Sequence, residues 1–209
     1  MSLPIFNFDK IESTNDFARK LITDHKILKG IVTADEQTKG RGRFGNTWKS
    51  PKGNLYFSIF FPILRSNLKK VQFLAQLQVR KILKSYGVRN ISLKWPNDIY
   101  VKDKKICGIL QESIIFNKFF LIIGIGINIK SSPKIKKYPT TYLNKEVKQK
   151  IGISHLIEKL KKAFDANIID KKYSFKKIVS EWNKHTFKKN KFINFKINNK
   201  IYKLSLIHI

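Results

Sequence analysis

Residues 91–110 read ISLKWPNDIYVKDKKICGIL. Ile91 to Trp95 is a short strand, stopped at Pro96 because proline cannot donate to a ladder. Ile99-Tyr100-Val101 and Ile106-Cys107-Gly108-Ile109-Leu110 then flank the polar Lys102-Asp103-Lys104-Lys105, the pattern of a hairpin. Short strands joined by tight turns, with no helix between them, predict antiparallel pairing.

The flanking chain extends this reading. Ile5 to Asp9 and Gly30 to Asp35 read as strands, and so does Asn54 to Phe61, closed by Pro62. Ser13-Thr14-Asn15-Asp16 has the hydroxyl cap and first-turn carboxylate of a helix start. Phe17, Leu21 and Leu28 follow at helical spacing, with Gly30 as the stop. Val71, Leu74, Ala75, Val79, Ile82 and Leu83 share one face of a helix over 68–86, ended by Gly87. Phe116 to Ile123 and Gly124 to Ile129 complete the sheet. The stretch 131–139 is a polar, proline-containing linker. Helices are expected over 153–168 and 175–187, and two late strands over 192–197 and 200–206 around Asn198-Asn199. Long βαβ repeats are missing. The fold class is therefore α+β, with a mixed, largely antiparallel sheet backed by helices.

Composition narrows the function classes. The chain has 209 residues, 42% hydrophobic, which is enough for a true core. The longest apolar run, 119–129, falls short of the ~20 residues that a membrane span needs. The start of the chain does not read as a signal peptide. The single cysteine, Cys107, excludes a disulfide framework within the chain. A cytoplasmic protein without membrane attachment is expected. The net charge of +29 suggests nucleic acid or an anionic surface. Against that, residues 1–130 carry 23 basic and 9 acidic side chains, and residues 131–209 carry 20 and 5. The most basic part is thus the part without a motif. The charge is mostly lysine, an A/T-rich codon, so base composition accounts for much of it.

Three segments carry chemistry. Gly40-Arg41-Gly42-Arg43-Phe44-Gly45 combines close backbone approach with forked cationic donors, which suits phosphate or carboxylate. It lacks the Gly-Lys-Ser/Thr end of a P-loop and the strand–helix setting of a dinucleotide fingerprint. A solvated basic turn is the alternative. Lys94-Trp95-Pro96-Asn97-Asp98 presents an amide and a carboxylate after a strand end, for a ribose, Mg²⁺ or an amine, or as a plain Asx turn. Gly124-Ile125-Gly126-Ile127-Asn128 places glycines within a strand, where a flat ligand or another backbone lies close, or where the strand bulges.

Taken in order, Ser13-Thr14-Asn15, Gly40-Arg41-Gly42-Arg43-x-Gly-x-x-Trp48, Lys94-Trp95-Pro96-Asn97-Asp98, Lys105-Ile106-Cys107-Gly108-Ile109-Leu110 and Gly124-Ile125-Gly126-Ile127-Asn128 resemble the biotin–protein ligase family. The match runs from Ile11 to Ile129 and, more weakly, to Phe187. The resemblance implies a catalytic core similar to that of class II aminoacyl-tRNA synthetases. It implies formation of biotinyl-5′-AMP from biotin and ATP, with Mg²⁺, and transfer of biotin to a lysine of a biotin carboxyl carrier protein domain. Ser13, Thr14, Asn15 and Gln37 would hold biotin, whose ureido ring needs both donors and acceptors in an apolar pocket. Gly108, Ile109 and Leu110 would line the same pocket. Arg41, Gly42 and Arg43 match a flexible loop that closes over the ligand and shields the reactive adenylate from water. Arg43 matches the arginine that retains the intermediate. Trp48 would lie beside the adenine. Lys105 would bridge the biotin carboxylate and the α-phosphate. Lys94, Asn97 and Asn128 would contact the nucleotide. Asp98, counted with Lys105 and Arg43 as catalytic, would serve Mg²⁺–ATP or the incoming amine; no fixed metal site is expected. Cys107 is read as structural rather than as a thioester nucleophile.

The sequence departs from the family at position 46, where Asn replaces a third basic residue. No helix-turn-helix precedes Ser13, so no operator-binding role is expected. Residues 1–187 would form the catalytic domain and 188–209 the shortened start of a small C-terminal β-barrel. Leu204-Ser205-Leu206-Ile207-His208-Ile209 reads like translated sequencing adapter. A monomer or homodimer is expected. The competing expectations are a lipoate or octanoate ligase of the same superfamily and a basic nucleic-acid-binding module.

Overall fold

The computed structural model describes residues 3–167, 174–188, 192–197 and 200–205. The elements are β1 (Ile5–Ile11), α1 (Thr14–Thr23), β2 (Gly30–Gln37), β3 (Leu55–Pro62), α2 (Leu68–Ser85), β4 (Ile91–Lys94), β5 (Asp98–Val101), β6 (Lys104–Phe116) and β7 (Lys118–Ile127), then α3 (Leu143–Glu146), α4 (Ile153–Asn167), α5 (Phe175–Asn183), β8 (Phe192–Ile197) and β9 (Lys200–Ser205). The first seven strands form one sheet in the order β1-β2-β3-β7-β6-β5-β4, and β8 and β9 pair separately. Only β1–β2 is parallel in the large sheet. The mixed, largely antiparallel sheet expected from the sequence is therefore what forms.

The two faces of the sheet do different jobs, and the period-2 geometry of strands assigns them. On β3 and β7 the odd residues Phe57, Ile59, Phe61, Leu121, Ile123 and Ile125 are buried in one core with Val71, Leu74, Val79 and Leu83 of α2, Leu156 and Leu160 of α4, and Trp182 of α5. The even face packs Phe60, Phe120 and Ile122 against Ala18, Leu21 and Ile22 of α1. Continuing along that even face, the apolar residues give way to Tyr56, Ser58, Gly124, Gly126, Gly108 and Leu110. Two cross-strand rows result, Ser58–Gly124–Leu110 and Tyr56–Gly126–Gly108. One end of this face is filled by α1, and the other is left nearly bare.

Several boundaries differ from the sequence reading. Helix α1 stops at Thr23, and Leu28 lies beyond it, 47% exposed. The chain turns instead at Asp24–Ile27, where Ile27 N–H donates to Leu21 O. Strand β6 is one 13-residue strand that includes 111–115, and β7 is a single strand, with the turn at Asn117 (φ 55°). The polar run Gln111-Glu112-Ser113 hid that strand, because it breaks the apolar alternation. Helix α5 ends at Asn183; the chain then lays Thr186 alongside Leu93 at the open edge of β4. The turn read at Asn198-Asn199 and residues 206–209 lie outside the described residues. Among the described residues no helix is long and apolar enough to cross a membrane.

Cys107 is fully buried, and burial, followed by the nearby Asp98 charge, pushes its thiol well above the ordinary range, against a smaller opposing effect of Lys105. Native protein is therefore expected to resist iodoacetamide at about pH 8 and to alkylate once urea exposes the thiol. Phe57→Ala, in the core under α4, is expected to lower unfolding free energy by about 3–5 kcal/mol in urea titrations. Ile115→Ala, at a side chain 81% exposed, should change it by less than about 0.5 kcal/mol.

Candidate active site

The bare part of the sheet is the floor of a cavity of about 680 Å³. Its floor is flat because glycine supplies no Cβ. A methyl group on Gly126 would stand 2.5 Å from Trp48 Nε1, and one on Gly108 2.9 Å from Trp48 Cζ3. Trp48 thus lies directly on the backbone of β6 and β7. A methyl group on Gly124 would collide with Asn15. Any side chain at these three positions would evict the two residues that shape the pocket.

The polar end of the cavity is built by the helix start. Ser13 caps α1, accepting from Asp16 N–H at 3.3 Å. The cap puts Thr14 and Asn15 over the sheet. Thr14 donates from its backbone N–H (2.9 Å) and its hydroxyl (3.1 Å) to Gln37 Oε1. Gln37 Nε2 in turn donates to Ser50 Oγ at 3.0 Å. Ser58 Oγ, fully buried on β3, lies 2.7 Å from Thr14 Oγ1 and 2.6 Å from Asn15 Oδ1. The sequence reading does not include Ser50 or Ser58. Ser58 does carry a signal, as the one hydroxyl in the apolar run 55–62 apart from Tyr56.

The loop 40–48 folds as a small hairpin. Gly42 N–H donates to Asn46 O, Trp48 N–H donates to Gly40 O, and Arg41 pairs with Thr47. Its tip carries Phe44, 89% exposed, with the Arg43 guanidinium 4.7 Å from its ring centre. Phe44 and Gly45 both take positive φ, 53° and 73°. Asn46 Nδ2 donates back to Arg43 O, so the position expected to lack a phosphate contact serves the turn.

Opposite the polar end, Lys105 Nζ stands 2.8 Å from Asp98 Oδ1, both side chains largely buried (11% and 19% exposed). The contact is an ion pair off the angle of a hydrogen bond, since Asp98 Oδ1 has no hydrogen-bonding partner. The ammonium also faces the rings of Trp48 (5.3 Å) and Tyr138 (5.2 Å). The stretch read as a linker is a strap beside this lysine. Lys105 N–H donates to Pro139 O, and Thr141 N–H donates to Lys105 O. The strap brings Lys134, Lys136, Lys137 and Tyr138 to the cavity. Nothing in its local pattern marked those residues as part of a site.

The turn 94–98 is fixed from below. Gln76 on α2, fully buried, donates to Lys94 O (3.3 Å) and Asp98 O (3.1 Å) and accepts from Trp182 Nε1 at 2.8 Å. Asn97 Nδ2 donates to Ile109 O.

Ser13, Thr14, Asn15, Gln37, Arg41, Gly42, Arg43, Trp48, Asn97, Asp98, Lys105, Gly108, Ile109 and Leu110 all line this one cavity. Two residues expected at the nucleotide do not. Lys94 turns its ammonium toward Tyr100 (5.3 Å) and Phe187 (5.6 Å) on the far side of the turn. Asn128 is 2% exposed and spends its amide on Thr141 O, anchoring the strap. Asn128 shares the parity of Gly124 and Gly126, but it lies just past the end of β7, where strand alternation no longer sets its direction.

Seven basic side chains line the cavity against one carboxylate, Asp98. The site therefore suits a polyanion at one end and a neutral hydrogen-bonding group at the other. Asp98, already paired with Lys105, does not make a metal cage with its neighbours. Among the described residues no group of three His, Cys, Asp or Glu could hold an ion.

Comparison with known proteins agrees with this geometry. Residues 7–129 match the model of the biotin/lipoate A/B protein ligase family. Biotin–protein ligase 2 of Arabidopsis thaliana is 32% identical over 157 residues, 71% of this chain and 46% of that protein. The bifunctional ligase/repressor BirA of Escherichia coli (strain K12) is 33% identical over 124 residues, 57% of this chain and 38% of that protein. The chain thus spans less than half the length of either relative. The biotin protein ligase of Aquifex aeolicus, solved in complex with biotin and ATP, superposes with a TM-score of 0.82 at 27% identity, covering 99% of this chain and 88% of that one. With the match covering more than half of its residues, the chain belongs to the biotin/lipoate A/B protein ligase family.

Proposed function

We propose that the protein activates biotin with ATP and transfers it to a lysine of a biotin carboxyl carrier protein. The observation that carries this reading is the placement of Lys105: a largely buried ammonium at the wall of one cavity, between a polar end fit for a ureido ring and a rim rich in cations. In the first half-reaction a biotin carboxylate oxygen attacks the α-phosphorus of ATP, and pyrophosphate leaves. Two anions must meet, and negative charge grows on the α-phosphoryl oxygens. Lys105, held by Asp98, supplies a fixed positive charge where solvent is scarce, which is where such a charge lowers a barrier most. Thr14, Asn15 and Gln37 hold the ring, and Trp48 on its glycine floor forms the apolar wall beside the adenine. In the second half-reaction the carrier's lysine amine attacks the acyl carbonyl of biotinyl-5′-AMP, and AMP leaves. Arg43 at the loop tip covers the mixed anhydride between the two steps and excludes water from it. Magnesium would enter with ATP as its counter-ion.

The solved relative with biotin and ATP supports the choice of substrates. The family also contains ligases of lipoate, so the acid is the feature to test. Residues 1–187 would carry both half-reactions, with β8 and β9 as the start of a small barrel. ATP–pyrophosphate exchange should appear with biotin and not with lipoate, octanoate or no acid. Exchange with lipoate or octanoate would move the protein to the sister activity. Salt-sensitive DNA binding with no exchange would favour the nucleic-acid module.

Lys105→Ala is expected to slow adenylation by roughly 10²–10³-fold, the usual cost of removing one transition-state charge partner, with the fold intact by circular dichroism. Arg43→Gly should leave exchange active and raise release of free biotinyl-5′-AMP, followed by its hydrolysis. Equal loss of folding in both variants would contradict these roles.

A further inference from the structure

Arg41 and Arg43 are equivalent in sequence but not in the structure. Arg43 is at the hairpin tip, with its guanidinium against the exposed Phe44 ring. Arg41 is at the hairpin base and is already committed. Its Nε and Nη2 donate to Asp16, and its Nη1 and Nη2 donate to Glu112 at 2.9 and 2.8 Å. Burial works against the charged guanidinium, but Glu112 and then Asp16 outweigh it and raise its pKa.

Glu112 makes a second connection. It stands on the even face of β6, two residues beyond Leu110 at the cavity floor, and its side chain is only 18% exposed. Its Oε2 accepts from Asn15 Nδ2 at 2.7 Å. Asn15 in turn lies over Gly124 and meets Ser58. Arg19 Nη2 adds a longer contact at 3.7 Å. One carboxylate thus ties together the sheet floor, the polar end of the pocket and the base of the loop. The cluster of Arg41, Arg19, Asp16 and Glu112 sums to zero charge, so Arg41 adds no free positive charge to the cavity.

We propose that Glu112 is a positioning residue for the loop: through Arg41 it pins the hairpin base beside Asn15, leaving the tip with Arg43 as the part free to move over the ligand. Arg41 then acts through its side chain as a tether and offers the ligand only backbone. The forked geometry explains why arginine is needed, since a lysine point charge cannot engage both carboxylates bidentately. The consequence for ligand binding rests on the ligase reading above, whereas the tether itself does not.

The test is amide hydrogen exchange on the full-length, ligand-free protein, with Glu112→Ala and Glu112→Gln compared with wild type. The N–H groups of Gly42 and Trp48 report the hairpin, because their acceptors are within it. Glu112→Ala should speed their exchange by about tenfold or more, the scale of losing a charge-assisted contact, with β3 and β7 amides unchanged. Glu112→Gln keeps the shape and an acceptor for Asn15, and should give a smaller increase confined to the loop. In pyrophosphate exchange both variants should raise the biotin KM more than they lower kcat. Loop amides unchanged within about twofold in a folded Glu112→Ala protein would overturn the proposal, because surface ion pairs often contribute nothing measurable. If Glu112→Ala fails to fold, Glu112→Gln decides alone: faster loop exchange sustains the tether, and wild-type exchange overturns it. Failure of all acids to support pyrophosphate exchange would sink the ligase reading and leave the hydrogen-exchange result standing.

Discussion

Three missing side chains set the form of this site. Gly108, Gly124 and Gly126 sit on adjacent rows of β6 and β7, and their lack of Cβ atoms lets Trp48 and Asn15 lie on bare backbone. Everything above the floor depends on that approach. With any larger residue there, Trp48 would lose its seat and Asn15 would be pushed off Ser58. Glycine within a strand weakens it by roughly 0.5–1 kcal/mol relative to alanine. Here those glycines are flanked by Ile109, Ile123, Ile125 and Ile127, which are buried in the main core. The stability of the strand comes from one face, and the other is left open for a ligand.

The chemistry-bearing turn is held in a similar way, from behind. Gln76 is a buried amide whose two acceptors and one donor all come from distant parts of the chain. Leaving such a group unpaired would cost about 1–3 kcal/mol. Its satisfaction therefore couples α2, the 94–98 turn and Trp182 of α5. Lys105 is clamped from three sides, by Asp98, by the two aromatic rings and by backbone bonds to the strap. A lysine side chain has substantial rotamer freedom to lose. Positioning it in advance removes that cost from the reaction step.

The legible parts of the fold were those with strong periodicity. Helix α2 kept its apolar face, because Val71, Leu74, Val79 and Leu83 recur at helical spacing and all pack on the sheet. The hairpin of β5 and β6 was read from its polar turn. Glu112 and the residues beside it were not read as strand, since a polar run on an even face looks like a loop until the strand's neighbours are known. Spacing alone puts Leu28 on the helix. Spacing does not register that the chain must turn back at Asp24 to start β2.

Sequence by itself determined the strand-rich α+β class, the cap that starts α1, and most residues that meet at the cavity, through ordered motifs whose spacing is tied to the fold. Apart from the family resemblance, it could not rank residues of the same type. Arg41 and Arg43 differ only in what surrounds them, as do Lys94 and Lys105, and Asn97 and Asn128. Tertiary structure separates the members of each pair, because the partners, the burial and the strand face of a charge or an amide are set by the fold. These are properties of long-range contacts: Glu112 meets Arg41 across 71 residues, and Trp182 meets Gln76 across 106.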